Sequence, residues 1–80
     1  MTPTTLLAFE SQWPTDGPTK REAIRRELGI SEVRYYVLLR RAACSLEGIK
    51  AYPMAARRVR ERAETLAAQR TARRTAPWQP

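Results

Sequence analysis

Apolar residues return along this chain at helical three- and four-residue intervals, and nowhere do they alternate as strand residues do, so the pattern predicts an all-α fold. Leu6, Phe9 and Trp13 share one side of a first helix, Thr5 to Trp13, which Pro14 stops. The PTDGP stretch that follows is a turn. Thr19-Lys20-Arg21-Glu22 has the form of a capping box and starts a second helix, Lys20 to Leu28, with Ile24 and Leu28 on one side. Gly29 supplies the left-handed residue that ends it. Ile30 belongs to the turn, and Ser31 caps a third helix running to about Ala43. Pro53 then opens a fourth helix through MAARRVRERAETLAAQRTARR. Its stripe of Ala55, Val59, Ala63 and Leu66 either closes the monomer's own core or pairs with a second copy in a homodimer.

The third helix divides into two faces at 100° per residue. With Tyr35 at the centre of the buried side, Leu38, Leu39 and Ala42 join it. Val33, Val37 and Arg40 fall opposite, with Tyr36 on one flank and Arg34 and Arg41 on the other. An ordinary solvated face carries no such pair of aliphatics set among arginines.

Charge gives that face a context. The chain of 80 residues has 15 basic against 8 acidic side chains, a net +7. The excess sits in two blocks: residues 20–41, with seven basic against three acidic, and residues 57–80, with seven arginines against two glutamates. A polyanionic partner is the default reading of such a balance. With no histidine and the single Cys44, the chain offers no metal-ligand cluster and no intramolecular disulfide, and no catalytic triad or glycine-rich phosphate loop can be assembled. Neither an enzyme nor a cofactor is expected. The segment MTPTTLLAFESQW has neither a basic leader nor a long apolar run, so no membrane association is expected and a cytoplasmic, nucleoid-associated location is.

A helix, a three-residue turn with glycine and a second helix, with apolar Ile24, Leu28, Ile30, Tyr35 and Leu38 at the contact positions, is the helix-turn-helix arrangement. The string IRRELGISEVRYYVLL, residues 24–39, resembles the helix-turn-helix segment of many bacterial transcription regulators, most closely in its central LGIS. Arg25 departs from the pattern, standing where such motifs carry a small residue, and must snorkel outward. Over residues 5–65 the chain also resembles a family of small, uncharacterised actinobacterial or actinophage proteins with an LLAFESQW-like first helix and a PMAARRVR-type helix.

The residues predict a small helix-turn-helix domain of three to four helices over residues 1–66, with the motif at about 20–43 and a fourth helix from 53, followed by a basic, flexible tail at 67–80. The resemblance implies sequence-specific binding of double-stranded DNA, with the helix at 31–43 in the major groove and transcriptional regulation as its use. Glu32, Val33, Arg34, Tyr36, Val37, Arg40 and Arg41 are then the candidate base contacts. Thr19, Lys20, Arg21, Ser31, Arg57, Arg58 and Arg60 are candidate phosphate contacts. Two alternatives stand beside this: a protein-interaction module docking the Val33–Tyr36–Val37 surface on RNA polymerase, a sigma factor or another regulator, and a phage or plasmid recombination or architectural accessory.

Overall fold

The computed structural model describes residues 1–75, of which 74 and 75 are described by their backbone alone. These residues form five helices: α1 (Pro3–Gln12), α2 (Pro18–Ala23), α3 (Glu32–Ala43), α4 (Leu46–Ala51) and α5 (Pro53–Thr75). No strand occurs among them, as the apolar spacing predicts.

The caps explain most helix boundaries. Thr2 accepts from the Thr5 N–H at 3.1 Å, so α1 starts two residues earlier than the apolar pattern alone suggests. Ser31 accepts from the Arg34 N–H at 3.2 Å and starts α3 as expected. The start of α2 is a correction. The helix begins at Pro18 behind Gly17, without a side-chain cap, and Thr19 lies inside it. Proline fills a first-turn position with its φ already helical and no N–H to satisfy, and this outcompetes the threonine box.

Beyond Ala23 the chain continues as a π-helical turn, Ile24–Leu28, which closes on Gly29 with φ +68°. The Gly29 N–H donates to both the Ile24 and Arg25 carbonyls, each at 3.1 Å. Arg25, the residue that departs from the small-residue pattern, lies exposed in this widened turn.

α4 is the element the periodicity did not reveal. Ser45 caps it, accepting from the Gly48 N–H at 3.0 Å while donating to the Ala42 carbonyl at 2.7 Å, and so hinges it directly onto the end of α3. Six residues are too few for an apolar repeat to show, and the glycine inside reads as a breaker. Its reason is steric: Gly48 is buried, and a Cβ there would meet the Ala42 carbonyl oxygen and lie 2.7 Å from Leu7 Cδ1.

The core is one cluster with α1 across its middle. Leu6, Leu7 and Phe9 of α1 meet Ala23 and Ile24, then Tyr35, Leu39, Ala42 and Ala43 of α3, and Ala55 and Ala56 of α5. Leu28, Ile30, Leu38, Tyr52 and Val59 pack around it half-buried. Small alanines at the α3–α5 contact let the two backbones approach closely. α5 thus closes the monomer's own core at its N-terminal end, while Leu66, two turns on from Val59, is 47% exposed. The helix persists through Thr75, and Trp78 lies outside the described residues.

Gly48→Ala is expected to destabilise the fold by about 1–3 kcal/mol, because its Cβ meets the fixed Ala42 carbonyl as well as the buried Leu7 side chain. Urea unfolding monitored by circular dichroism measures this. An unchanged midpoint would show that α4 can shift away from Ala42 at no cost.

Candidate nucleic-acid interface

The candidate contacts separate into an inward and an outward set. The inward set centres on Lys20, which is only 2% exposed although the sequence places it among the phosphate contacts. Its ammonium lies 2.7 Å from Glu10 Oε1 and 3.1 Å from Asp16 Oδ1, above the faces of Tyr35 and Tyr36 at 5.7 and 5.4 Å from the ring centroids. A cation removed from water this completely is tolerable only when paired and hydrogen-bonded. Lys20 is therefore a structural residue, and its assignment to phosphate is corrected.

Tyr36 is corrected with it. Its hydroxyl donates to Asp16 Oδ1 at 2.6 Å, and its ring packs edge-on to Tyr35 with centroids 5.0 Å apart, so it points toward α5 and away from the outward face of α3. Tyr35, fully buried, donates to Glu10 Oε1 at 2.6 Å and meets Phe9 edge-on at 5.5 Å. Burial raises the pKa of both phenols, and the neighbouring carboxylates, Glu10 for Tyr35 and Asp16 for Tyr36, raise it further, so both hydroxyls stay protonated. Burial also pushes the Asp16 carboxyl up. The hydrogen bonds from Tyr36 and Lys20, with the charges of Lys20 and Arg62, outweigh that and hold it below the ordinary carboxylate range.

Four more candidates, Arg60, Arg57, Arg21 and Glu32, have intramolecular work. Arg60 Nη1 donates to the Ala43 carbonyl at 2.9 Å and so caps the end of α3, in place of the Arg60–Glu64 pair that spacing along the helix suggests. Arg57 pairs with Glu61 at 3.0 Å, one turn on. Arg21 pairs with Glu32 at 3.3 Å, linking α2 to the first turn of α3 while both stay partly open to water.

What remains outward is compact. Val33 is 76% exposed and Val37 47%, and they stand with exposed Arg34, Arg40 and Arg41 on one side of α3. Ser31 and Thr19 are exposed at the near ends of α3 and α2, and Cys44 is exposed at the far end of α3. Among the described residues, Arg34, Arg40, Arg41 and Arg58 make no ion pair. Among the described residues, no group of three or more potential metal ligands occurs and no helix is long and apolar enough to cross a membrane.

The residues that sequence reasoning missed are Glu10 and Asp16. Their only signal was two acids in an otherwise uncharged N-terminal stretch. They neutralise Lys20 and thereby leave the open arginines as the exposed charge.

These features define a small all-helical protein with a buried lysine–carboxylate–tyrosine centre and one helix face of aliphatic and arginine side chains. The chain belongs to the DUF3263 family, described as proteins of unknown function, whose model matches residues 2–75. No curated protein and no solved structure matches it.

Replacing Lys20 by Met alone leaves Glu10 buried without its cation and is expected to cost about 3–5 kcal/mol. Glu10→Leu alone leaves the lysine with Asp16 as its one carboxylate and takes the acceptor from the buried Tyr35 hydroxyl, at a similar cost. The double variant is expected to be more stable than either single one, which a double-mutant cycle by urea unfolding reads directly. Additive losses would deny the coupling.

Asp16 sets the sign of an acid dependence. Its depressed folded-state pKa contributes stability fully above the unfolded value of about 3.9, and this is lost as pH falls through the lower folded value. Asp16→Asn is therefore expected to be less stable than the parent at neutral pH, with the gap closing below about pH 4. A gap independent of pH would show that the carboxylate charge is not what stabilises.

Proposed function

We propose that this protein binds double-stranded DNA through the outward face of α3, as a helix-turn-helix module. One observation carries the reading: Val33 and Val37 stand exposed between Arg34, Arg40 and Arg41, none of which has an acidic partner among the described residues. Leaving two aliphatics in water loses hydrophobic stabilisation, and three unpaired cations repel one another, so folding alone gives no reason for the combination. A major groove matches it. Arginine binds guanine O6 and N7 in bidentate fashion, and valine meets a thymine methyl.

The surroundings support this. The three residues Gly29, Ile30 and Ser31 join the π-helical turn to α3, and Gly29 provides the left-handed backbone that the tight connection requires. Ser31 stands at the amino end of α3, where free N–H groups and the helix dipole favour a phosphate. The Arg21–Glu32 pair sits on the same edge, and a duplex phosphate competes with Glu32 for that guanidinium. Arg58 extends the positive surface onto α5. The use of such binding is transcriptional regulation.

Binding of a duplex is expected to fall about 10³-fold between about 50 and 200 mM salt if about six phosphates are neutralised. Selection from a random duplex library is expected to enrich one site. Val37→Ser should cost about 1–3 kcal/mol on that site while binding to unrelated duplexes persists. A shallow salt response, or no enrichment, overturns the reading. If Val37→Ser instead abolishes capture of RNA polymerase or a sigma factor and leaves DNA binding intact, the face is a protein-docking surface.

A further inference from the structure

A second surface lies between α3 and α5, around the corner from the outward face of α3, and shares Arg40 and Arg58 with the positive surface proposed for DNA. It is a groove of about 580 Å³. Leu39, Val59, Ala63 and Leu66 give it an apolar floor, and Arg40 and Arg58 stand on its rim. The core fills this space only in part: Leu39 belongs to it and Val59 packs half-buried against it, but Ala55 and Ala56, one to three turns earlier on α5, are the buried residues of that helix, and Leu66 is left 47% exposed.

Charge identifies what fits there. The two carboxylates at the groove are both occupied, Glu10 by Lys20 and Tyr35, and Asp16 by Lys20, Tyr36 and Arg62. Arg40 and Arg58 make no ion pair among the described residues, so the uncompensated charge of the rim is positive. From Arg58 to Leu66 the groove follows α5 for about 12 Å, two helical turns. We infer that this groove is the docking site for an acidic amphipathic helix of a partner protein, whose apolar residues at i, i+3 or i+4 and i+7 lie on Val59, Ala63 and Leu66 while its flanking carboxylates meet Arg40 and Arg58.

A second copy of the chain is a poor occupant. α5 itself carries seven arginines against two glutamates, so pairing it with its twin sets like charges together. No other helix of this chain supplies an acidic face, since α1 has Glu10 alone, already paired, and α4 carries Glu47 with Lys50. The site does not depend on the DNA-binding reading.

The test uses the full chain and a fluorescein-labelled synthetic helix of about four turns, leucine on one stripe and glutamate on both flanks. Anisotropy is expected to show saturable binding, about tenfold tighter than for the same helix with lysine flanks or for a scrambled peptide of equal charge. Leu66→Gln, an exposed and charge-neutral change, is expected to weaken the acidic helix about tenfold and leave duplex DNA binding as it was. Arg58→Gln should weaken it as well. Three results overturn the inference: equal binding of the scrambled peptide, no effect of Leu66→Gln on the acidic helix, or a dimer in sedimentation that Leu66→Gln dissociates. Loss of DNA binding in Leu66→Gln overturns it too, by placing the groove in the nucleic-acid site.

Discussion

The molecule is organised by one buried ammonium group. Lys20 sits among Glu10 of α1, Asp16 of the α1–α2 loop and the two tyrosine rings of α3, and Asp16 reaches on to Arg62 of α5. A charge in the interior is costly by itself, so each of these segments has a definite position only when the others are present. No buried side-chain polar atom among the described residues lacks a partner. The network therefore specifies how α1, α2 and α3 meet, which an alanine- and leucine-lined core of this size would do less sharply.

That centre also explains the surface. The two acids of the N-terminal stretch are consumed by Lys20, Tyr35, Tyr36 and Arg62, and Glu32 and Glu61 by Arg21 and Arg57. After this pairing, Arg34, Arg40 and Arg41 on α3 and Arg58 on the adjoining side of α5 are among the arginines left without an ion pair. The two proposed surfaces differ in their apolar component: Val33 and Val37 project from a convex helix face suited to a groove in DNA, whereas Leu39, Val59 and Leu66 line a concavity suited to a helix. Arg40 and Arg58 at the boundary would feel an occupant of either.

Local chemistry made much of this legible. Ser31 as a cap, Gly29 as a left-handed stop, Pro53 as a first helical residue, and Tyr35 as the centre of the buried face of α3 each depend on neighbours within a few positions. The readings that failed depended on partners far along the chain. Lys20 looks like an exposed phosphate contact until Glu10, ten residues earlier on another helix, is placed beside it. Arg60 looks like another phosphate contact until the end of α3, seventeen residues earlier, offers the Ala43 carbonyl. α4 was hidden because a six-residue helix held by Ser45 and packed through Gly48 has no period to read.

By itself, then, the sequence determined an all-helical chain, the turn between α2 and α3, and a third helix with one core face and one face of valine and arginine, because periodicity and capping act over single turns. Tertiary structure decided which charges remain on the surface. It turned Lys20 and Tyr36 inward, spent Arg60 on a helix end, and left Val33, Val37, Arg34 and Arg41 in water and a groove beside Leu66. The physical reason is that burial and pairing are properties of distances between helices, and those distances are set by the packing of the whole core.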